Sequence, residues 1–152
     1  MGVNHHRDRP QREFPEEAWR CPIRFAVNRE TGATSMSIWT HQFSGNRRAP
    51  LHYHDVEEVL LFVDVQGHGY VWIGDQEYRV ESDSSVVVPP GTLHCFGLHG
   101  EGSMRSISVL PDADAVPGPR PYKVGEEPAE VPPPSEWPGE QAHPGYSGER
   151  QP

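Results

Sequence analysis

Side chains that can bind metals crowd the stretch PLHYHDVEEV in the first half of the chain. His52 and His54 are one residue apart, and Glu57 and Glu58 follow before an apolar run begins. In a strand, residues i and i+2 face the same side, so both imidazoles can point inward while Tyr53 points outward. Imidazoles bind iron, manganese, nickel, copper or zinc, and a carboxylate can join them. The stretch therefore indicates either a metal site or polar residues on the surface of an ordinary sheet.

A third imidazole is available further along, in the stretch PPGTLHCF. His94 follows two prolines and a glycine, the kind of rigid turn that fixes a side chain at the start of a strand. The choice of carboxylate stays open, because strand alternation lets only one of Glu57 and Glu58 face inward. Each of the two shares its side with apolar residues of the following run, so hydrophobicity does not decide between them.

Other side chains could act beside a metal. His41 shares a face with Trp39 on a neighbouring predicted strand, and we take it as a candidate catalytic base. A fourth metal-binding imidazole and a half-exposed strand histidine are the alternatives. Aromatic residues could line an apolar substrate cavity, although aromatic core residues look the same in a sequence. The residues predicted to line this cavity are Trp39, Phe62, Tyr70, Trp72 and Phe96.

Two further histidines and a cysteine receive structural interpretations. His68 stands between Gly67 and Gly69, which favours a turn, and His99 lies in GLHGEG, which we predict to be a loop. Cys95 directly follows His94 and is interpreted as a buried, inert thiol.

The segment 23–110 has the pattern of an antiparallel all-β domain. Short runs rich in Val, Ile and aromatic residues recur there, separated by Gly, Asp and Pro. A tight hairpin turn is predicted at Gly74-Asp75, and PEEAWRC near the start is the one candidate helix. Close spacing of strands and turns indicates a sandwich or barrel. The predicted strands are TSMSIWTHQF, EEVLLFVDV, GYVWIG, SSVVVPP and SMRSISVL.

The two ends of the chain differ from this domain. Residues 1–22 form an irregular N-terminal segment, and residues 111–152 contain 11 of the 17 prolines, with eight acidic and three basic residues. Such a composition cannot bury enough apolar surface to offset the entropy of ordering. We therefore predict an extended or disordered, Pro-rich acidic tail over 111–152.

Charge and cysteine content limit the partners and the compartment. The formal net charge is -9 with no basic cluster, so neither nucleic acid nor an anionic membrane is expected as a partner. No apolar run is long enough to span a membrane, and the N-terminus lacks the apolar core of a secretory signal. Cys21 and Cys95 are too few for a disulfide framework, which favours a cytoplasmic location. A homodimer is expected, because pairing can cover the exposed edge strands of such a sandwich.

The stretch from Gly45 to Phe96 resembles the cupin superfamily. The first motif of that family combines a glycine, an HxH pair, a glutamate and a closing glycine, and the second combines a glycine, PxG, a histidine and an asparagine. In this chain the matching residues are Gly45, His52, His54, Glu58, Gly67, Pro89, Gly91 and His94. The spacing from Gly45 to His52 is one residue longer than in the family motif. The spacing from Glu58 to Gly67 is two residues longer, and this predicts a bulge or a longer hairpin at VDVQ. Asp83 and Leu98 replace the expected glycine and asparagine.

The resemblance implies a small jelly-roll barrel that holds one divalent metal ion between His52, His54, Glu58 and His94. Iron is placed ahead of zinc, manganese, nickel and copper. With Fe(II) such a site performs oxygenase chemistry on a small organic substrate, for example an aromatic or diketone-like molecule. With a redox-inert metal it acts as a Lewis acid in a cyclase, isomerase or decarboxylase. A cupin that binds a small ligand without turnover is the contrasting class.

Overall fold

The computed structural model describes residues 3–11, 22–49 and 52–115. Short turns of 3-10 helix occupy His6–Asp8 and Arg29–Thr31, and all other regular structure in these ranges is strand. The strands are β1 (Ile23–Val27), β2 (Ser37–Ser44), β3 (Glu58–Ile73), β4 (Gln76–Val80), β5 (Ser84–Val88) and β6 (His94–Leu110).

Every strand pairing is antiparallel, and two long strands organise the fold. β3 and β6 contain 16 and 17 residues and pair with each other along most of their length. The strand order is β1-β2-β6-β3-β4, while β5 pairs with the first part of β3 and β4 with its last part. Because each long strand contributes to both ends of the sheet, the sheet closes over itself as a jelly roll. The all-β, antiparallel fold predicted from the sequence is therefore confirmed.

Alternation along the strands places one apolar face inside. On β2 the odd-numbered residues are buried, and on the last part of β6 the even-numbered residues from Met104 to Leu110 are, as expected for strands that face a core on one side. The inward side chains of the two halves of the sheet meet in one main cluster. It includes Ile23, Phe25, Trp39, Phe43, Leu60, Phe62, Val71, Phe96, Leu98, Met104 and Leu110.

The strand ends predicted from the sequence differ from those in the structure, where the two long strands continue past the predicted ends. The runs EEVLLFVDV and GYVWIG belong to the single strand β3, and SMRSISVL is only the last part of β6. His68 and His99 are therefore not in a turn and a loop but are direct cross-strand partners. The misleading signals were glycines, because Gly67 and Gly102 face each other at an irregularity of the pairing rather than at a chain reversal.

Two other local predictions are confirmed. β3 and β4 are joined by a tight turn at Gly74 and Asp75, with φ 63° at Gly74. The register of β3 against β6 shifts between Phe62 and Asp64, which places a bulge at the start of VDVQ. The bulge reverses the alternation, so that even-numbered residues of β3 face the core before it and odd-numbered residues after it.

The beginning of the predicted tail packs on the domain. Ala113 and Ala115 are buried, and the carbonyl of Ala113 accepts a hydrogen bond from the amide of Arg29 at 3.1 Å. The guanidinium of Arg29 also contacts the carboxylate of Asp114, with Nε 2.6 Å from Oδ1. The packed part of the chain thus extends past residue 110. The predicted helix at PEEAWRC and the tail beyond Ala115 lie outside the described residues.

Candidate metal centre

Backbone pairing fixes the two histidines of the HxH pair. The segment that precedes β3 lies against the start of β6, where the amide of His52 donates to the carbonyl of His94 at 3.0 Å and the reverse bond is 2.8 Å long. The amide of Gly91 donates to the carbonyl of His54 at 2.7 Å, which ties the turn before β6 to the same segment. His52, His54 and His94 are thereby held on one short piece of sheet.

Glu58 supplies the carboxylate that faces these imidazoles. It is the first residue of β3 and is 1% exposed, whereas Glu57 is exposed. The burial therefore separates the two glutamates that the sequence could not distinguish. One donor atom from each of His52, His54, Glu58 and His94 lies within 4.8 Å of the others, and all four side chains are buried.

Hydrogen bonds orient the side chains that could bind the metal. Nδ1 of His94 lies 2.9 Å from the carbonyl oxygen of Thr92, which can only accept, so this nitrogen carries a proton. Nε2 of the same ring consequently faces Glu58, with 2.8 Å between Nε2 and Oε2. Nε2 of His54 is 3.4 Å from the same carboxylate oxygen. A backbone carbonyl that fixes the tautomer of a ligating histidine is a common supporting contact in metal sites.

The electrostatics of the site keep the carboxylate ionised. Burial raises the pKa of the Glu58 carboxyl, but the close contact with His94 and the surrounding imidazoles lower it more. The resulting pKa lies well below the ordinary value of a glutamate. Glu58 is therefore an anion at neutral pH, as a metal ligand must be.

The donor set fits a divalent metal. Two ligand atoms that each lie about 2.1 Å from one ion are at most about 4.2 Å apart. The observed limit of 4.8 Å exceeds this value by about 0.6 Å, so small side-chain movements would bring the ligand atoms onto one ion. Three imidazoles and one carboxylate suit iron, nickel, copper, manganese and zinc alike. The residues themselves therefore support metal binding without selecting the metal.

His41 lies inside the same core but is held by other contacts. Its Nε2 is 2.9 Å from the hydroxyl of Ser108, and its ring packs edge-on against Phe96 at 5.2 Å. Burial lowers the pKa of His41 to about 4, only partly opposed by the charge of Glu58. The imidazole is neutral at pH 7, so it can accept a proton. Its role as a catalytic base stays a prediction.

The structure divides the predicted aromatic cavity wall. Trp39, Phe62 and Phe96 belong to the main core, and the ring of Trp39 lies 5.8 Å from that of His54. Tyr70 and Trp72 do not join them, because they form a separate cluster with Cys95 and Leu93. The bulge after Phe62 reverses the alternation of β3, so that Val71 rather than Tyr70 or Trp72 joins the main core. A role of Tyr70 and Trp72 in a substrate cavity stays a prediction.

Sequence reasoning missed two buried serines. Ser106 and Ser108 are 0% and 1% exposed and share the inward side of β6 with Met104 and Leu110. The signal was present in SMRSISVL, where serines alternate with outward residues at the same spacing as the apolar core positions. The interior next to the metal centre is therefore more polar than the aromatic wall that was expected.

Comparison with known proteins identifies the class. Residues 39–110 match the family model described as a cupin domain. Together with the jelly-roll fold and the His/Glu cluster, this match identifies the segment 39–110 as a cupin domain.

Individual relatives are more distant. The chain is 34% identical over 65 residues to an acireductone dioxygenase from Stenotrophomonas maltophilia, covering 41% of this chain and 35% of that protein. It is 36% identical over 61 residues to another from Citrobacter koseri, covering 39% and 34%. The chain thus matches about a third of the length of these curated relatives.

Solved structures share the fold at low identity. The polyketide cyclase RemF from Streptomyces resistomycificus superposes with a TM-score of 0.65 at 19% identity, covering 78% of this chain and 84% of that one. A cupin-2 domain protein from Rhodospirillum rubrum gives a TM-score of 0.61 at 12% identity, covering 77% and 78%. Among the described residues, no helix has the length and apolar character needed to cross a membrane.

Proposed function

We propose that the protein is a metal-dependent dioxygenase acting on a small organic substrate that binds the metal through neighbouring oxygen atoms. The observation that carries the proposal is the convergence of three buried imidazoles and one buried carboxylate within 4.8 Å. Similarity to acireductone dioxygenases over part of the chain supports the choice of an oxygenase among cupin activities.

In this proposal each residue of the site has a separate task. His52, His54, Glu58 and His94 hold the metal, and the Thr92 carbonyl keeps His94 in the tautomer that presents Nε2. A bound Fe(II) would supply redox chemistry with O2. The apolar side chains around the site exclude water, which protects a reactive substrate.

Metal content tests the site itself. Protein purified without added metal should contain about one divalent ion per chain, as expected for one set of four ligands. His94→Ala and His52→Ala should lose most of it, because each removes one imidazole of the set. His99→Ala is the matched control, since His99 pairs with Glu77 on the other side of β6. Unchanged metal content in His94→Ala and His52→Ala would refute the metal centre.

Oxygen consumption tests the reaction. Fe(II)-loaded protein should take up O2 in the presence of a suitable member of a panel of acireductone, catechols, diketones and hydroxylated aromatics, and His94→Ala should not. The identity of the native metal is measured on the same preparation, because iron favours the oxygenase. Turnover that continues without O2 would contradict the proposal.

A non-redox reaction is the second candidate, and His41 is the observation that favours it. A neutral imidazole, buried and hydrogen-bonded to Ser108, can move a proton while a Lewis-acidic metal polarises a substrate carbonyl. Such a site would catalyse cyclisation, isomerisation or decarboxylation. Anaerobic turnover by zinc-loaded protein, abolished in His41→Gln, would support this candidate; a protein that binds ligands and turns over none would be a binding module.

A further inference from the structure

Polar side chains occupy part of the interior face of β2 and β6. Trp39 lies opposite Ser108, and His41 lies opposite Ser106, so the four residues form a two-by-two group. All four are buried, with exposed fractions of 4% or less. We call this group the interior polar patch.

The patch adjoins the metal centre. The Trp39 ring lies 5.8 Å from the ring of His54, which is one of the candidate ligands. Ser108 lies opposite Leu60 of β3, which is one inward position after Glu58. Inward positions along a strand are about 7 Å apart. A small molecule that binds the metal through one end would need to extend only about 7 Å to reach the patch.

Two polar atoms of the patch have no hydrogen-bond partner within the described part of the chain. These are Nε1 of Trp39 and the hydroxyl of Ser106, whereas Ser108 is bonded to His41. Leaving a buried donor unpaired is destabilising, and native structures contain few such groups. The indole N–H can only donate, so it requires an acceptor. A bound ligand is the natural source of that acceptor.

The charge of the surroundings restricts the acceptor. In residues 3–11, 22–49 and 52–115, no buried residue is Lys or Arg. A carboxylate or phosphate at the patch would be desolvated without a cationic side chain beside it, and the charge of a bound metal is already partly neutralised by Glu58 and by the metal-binding oxygens of the substrate. A carbonyl, hydroxyl or ether oxygen needs only the hydrogen bonds that Trp39 and Ser106 can provide.

We propose that the interior polar patch is a specificity site that selects substrates bearing, away from their metal-binding oxygens, an uncharged hydrogen-bond acceptor received by Trp39 and Ser106. The proposal rests on the proposed metal-dependent function and narrows its substrate class. In this proposal the indole N–H of Trp39 and the hydroxyl of Ser106 determine which substrates bind, rather than the aromatic side chains alone.

Three catechols with the same chelating end provide the test. They are 4-methylcatechol, which has an apolar distal group, 3,4-dihydroxybenzaldehyde, which has a neutral acceptor, and 3,4-dihydroxybenzoate, which has an anion. Their affinities for zinc-loaded protein are measured by titration calorimetry, because zinc does not allow redox turnover. Wild type should prefer the aldehyde over both others. The three catechols differ in acidity, but the acidity of each one does not depend on the protein variant. A change in preference between variants therefore reports the contribution of the interior polar patch.

Trp39→Phe removes the N–H and keeps an aromatic ring, and Ser106→Ala removes one hydroxyl. Losing a buried hydrogen bond should reduce the preference for the aldehyde by about tenfold or more in at least one of them. Ser103→Ala removes a hydroxyl from the outward side of the same strand, and this variant should prefer the aldehyde as strongly as wild type does. Thermal melting of the metal-free variants accompanies the titrations, and Ser106→Ala should melt no lower than wild type because no bond of the folded protein is lost.

The outcomes are distinct. If both variants keep the preference of wild type for the aldehyde, the proposed role of the interior polar patch is wrong and the proposed function is unaffected. A preference of wild type for the anion would lead to the same conclusion. Failure of all three catechols to bind the zinc-loaded protein would overturn this inference, whereas the proposed function is contradicted only by the metal-content and oxygen-uptake experiments described above. If Trp39→Phe does not fold, Ser106→Ala alone decides.

Discussion

At the scale of single residues, His41 couples the stability of the domain to pH. An imidazole has a pKa near 6.5 in the unfolded chain, and burial lowers it to about 4 in the folded protein. Between these values only the unfolded chain carries the proton. The stability of the folded state is therefore complete above pH 6.5 and declines as the pH falls towards 4. The shift corresponds to roughly 3 kcal/mol in the free energy of unfolding.

His41→Gln and His41→Phe remove this titration in two different ways. Urea unfolding of the metal-free proteins at pH 7 and pH 4.5 should show a smaller acid loss of stability in both variants than in wild type. The two variants should differ from each other at pH 7, because Gln can still reach Ser108 and Phe cannot. An acid loss equal to that of wild type in both would mean that His41 is not the group responsible.

The spacing of His52, His54 and His94 allowed the candidate ligands to be predicted from the sequence. Strand alternation and a proline-glycine turn act locally, so they can be recognised without a structure. The position of Tyr70 could not be predicted in this way. It depends on the bulge after Phe62, which exists only through the pairing of β3 with β6.

At the scale of elements, a close approach of two chain segments positions the HxH pair. A Cβ at Gly97 would lie 2.5 Å from the carbonyl oxygen of Arg47 and 2.5 Å from Cβ of Arg48. The same segment is bonded to β6, with the amide of Leu98 2.9 Å from the Arg47 oxygen. Glycine at 97 is therefore needed for the segment before His52 to lie on β6.

Gly97→Ala should push this segment away from β6. We expect a loss of about 1–3 kcal/mol in the free energy of unfolding, as for overpacked cores, and a weaker metal affinity. Gly100→Ala is the control, because its φ of 74° makes a side chain strained while no atom lies within 4 Å of a Cβ there. It should lower stability and leave metal affinity unchanged. Equal metal affinity in the two variants would contradict this account.

The turn between β4 and β5 explains one departure from the family pattern. Asp83 stands where the cupin motif has glycine, and its φ of 63° is the left-handed conformation that glycine adopts freely. Aspartate tolerates this region better than most residues. Asp83→Gly should be neutral or stabilising, and Asp83→Val should lose about 1–2 kcal/mol. Urea denaturation of both variants checks the prediction, which fails if valine is tolerated as well as glycine.

Glycines also explain why the lengths of β3 and β6 were not predicted. In a sequence Gly67 and Gly102 indicate chain reversals. In the structure a Cβ on Gly102 would meet the carbonyl oxygen of Gln66, because the two long strands cross closely there. Only the pairing partner distinguishes a close approach from a turn, and a single sequence does not contain that partner.

At the scale of the whole molecule, the interior combines a candidate metal centre with a polar patch inside a barrel whose core is mainly apolar. The four candidate ligands come from the segment before β3, from β3 and from β6, and the patch comes from β2 and β6, so no single stretch of sequence contains the complete site. The composition could predict a β domain and the motifs could predict the ligands. The homodimer and the cytoplasmic location remain predictions from the sequence, and sedimentation analysis of the purified protein tests the first.

The boundary of the folded domain can be tested by two truncations. Ending the chain after Ala115 keeps every contact described for residues 111–115, and the Pro-rich acidic composition of the remainder predicts little contribution to stability. Ending it after Leu110 removes two buried alanines, the hydrogen bond from Arg29 to Ala113 and the ion pair with Asp114.

Thermal melting should therefore distinguish the two truncated proteins. The protein ending at 115 should melt close to the full chain. The protein ending at 110 should melt lower by about 5–15 °C, because one kcal/mol shifts the melting temperature of a domain of this size by about 4–8 °C. Equal melting of both would place the boundary at residue 110, as the sequence predicted. A lower melting temperature for the protein ending at 115 would instead show that residues 116–152 stabilise the domain.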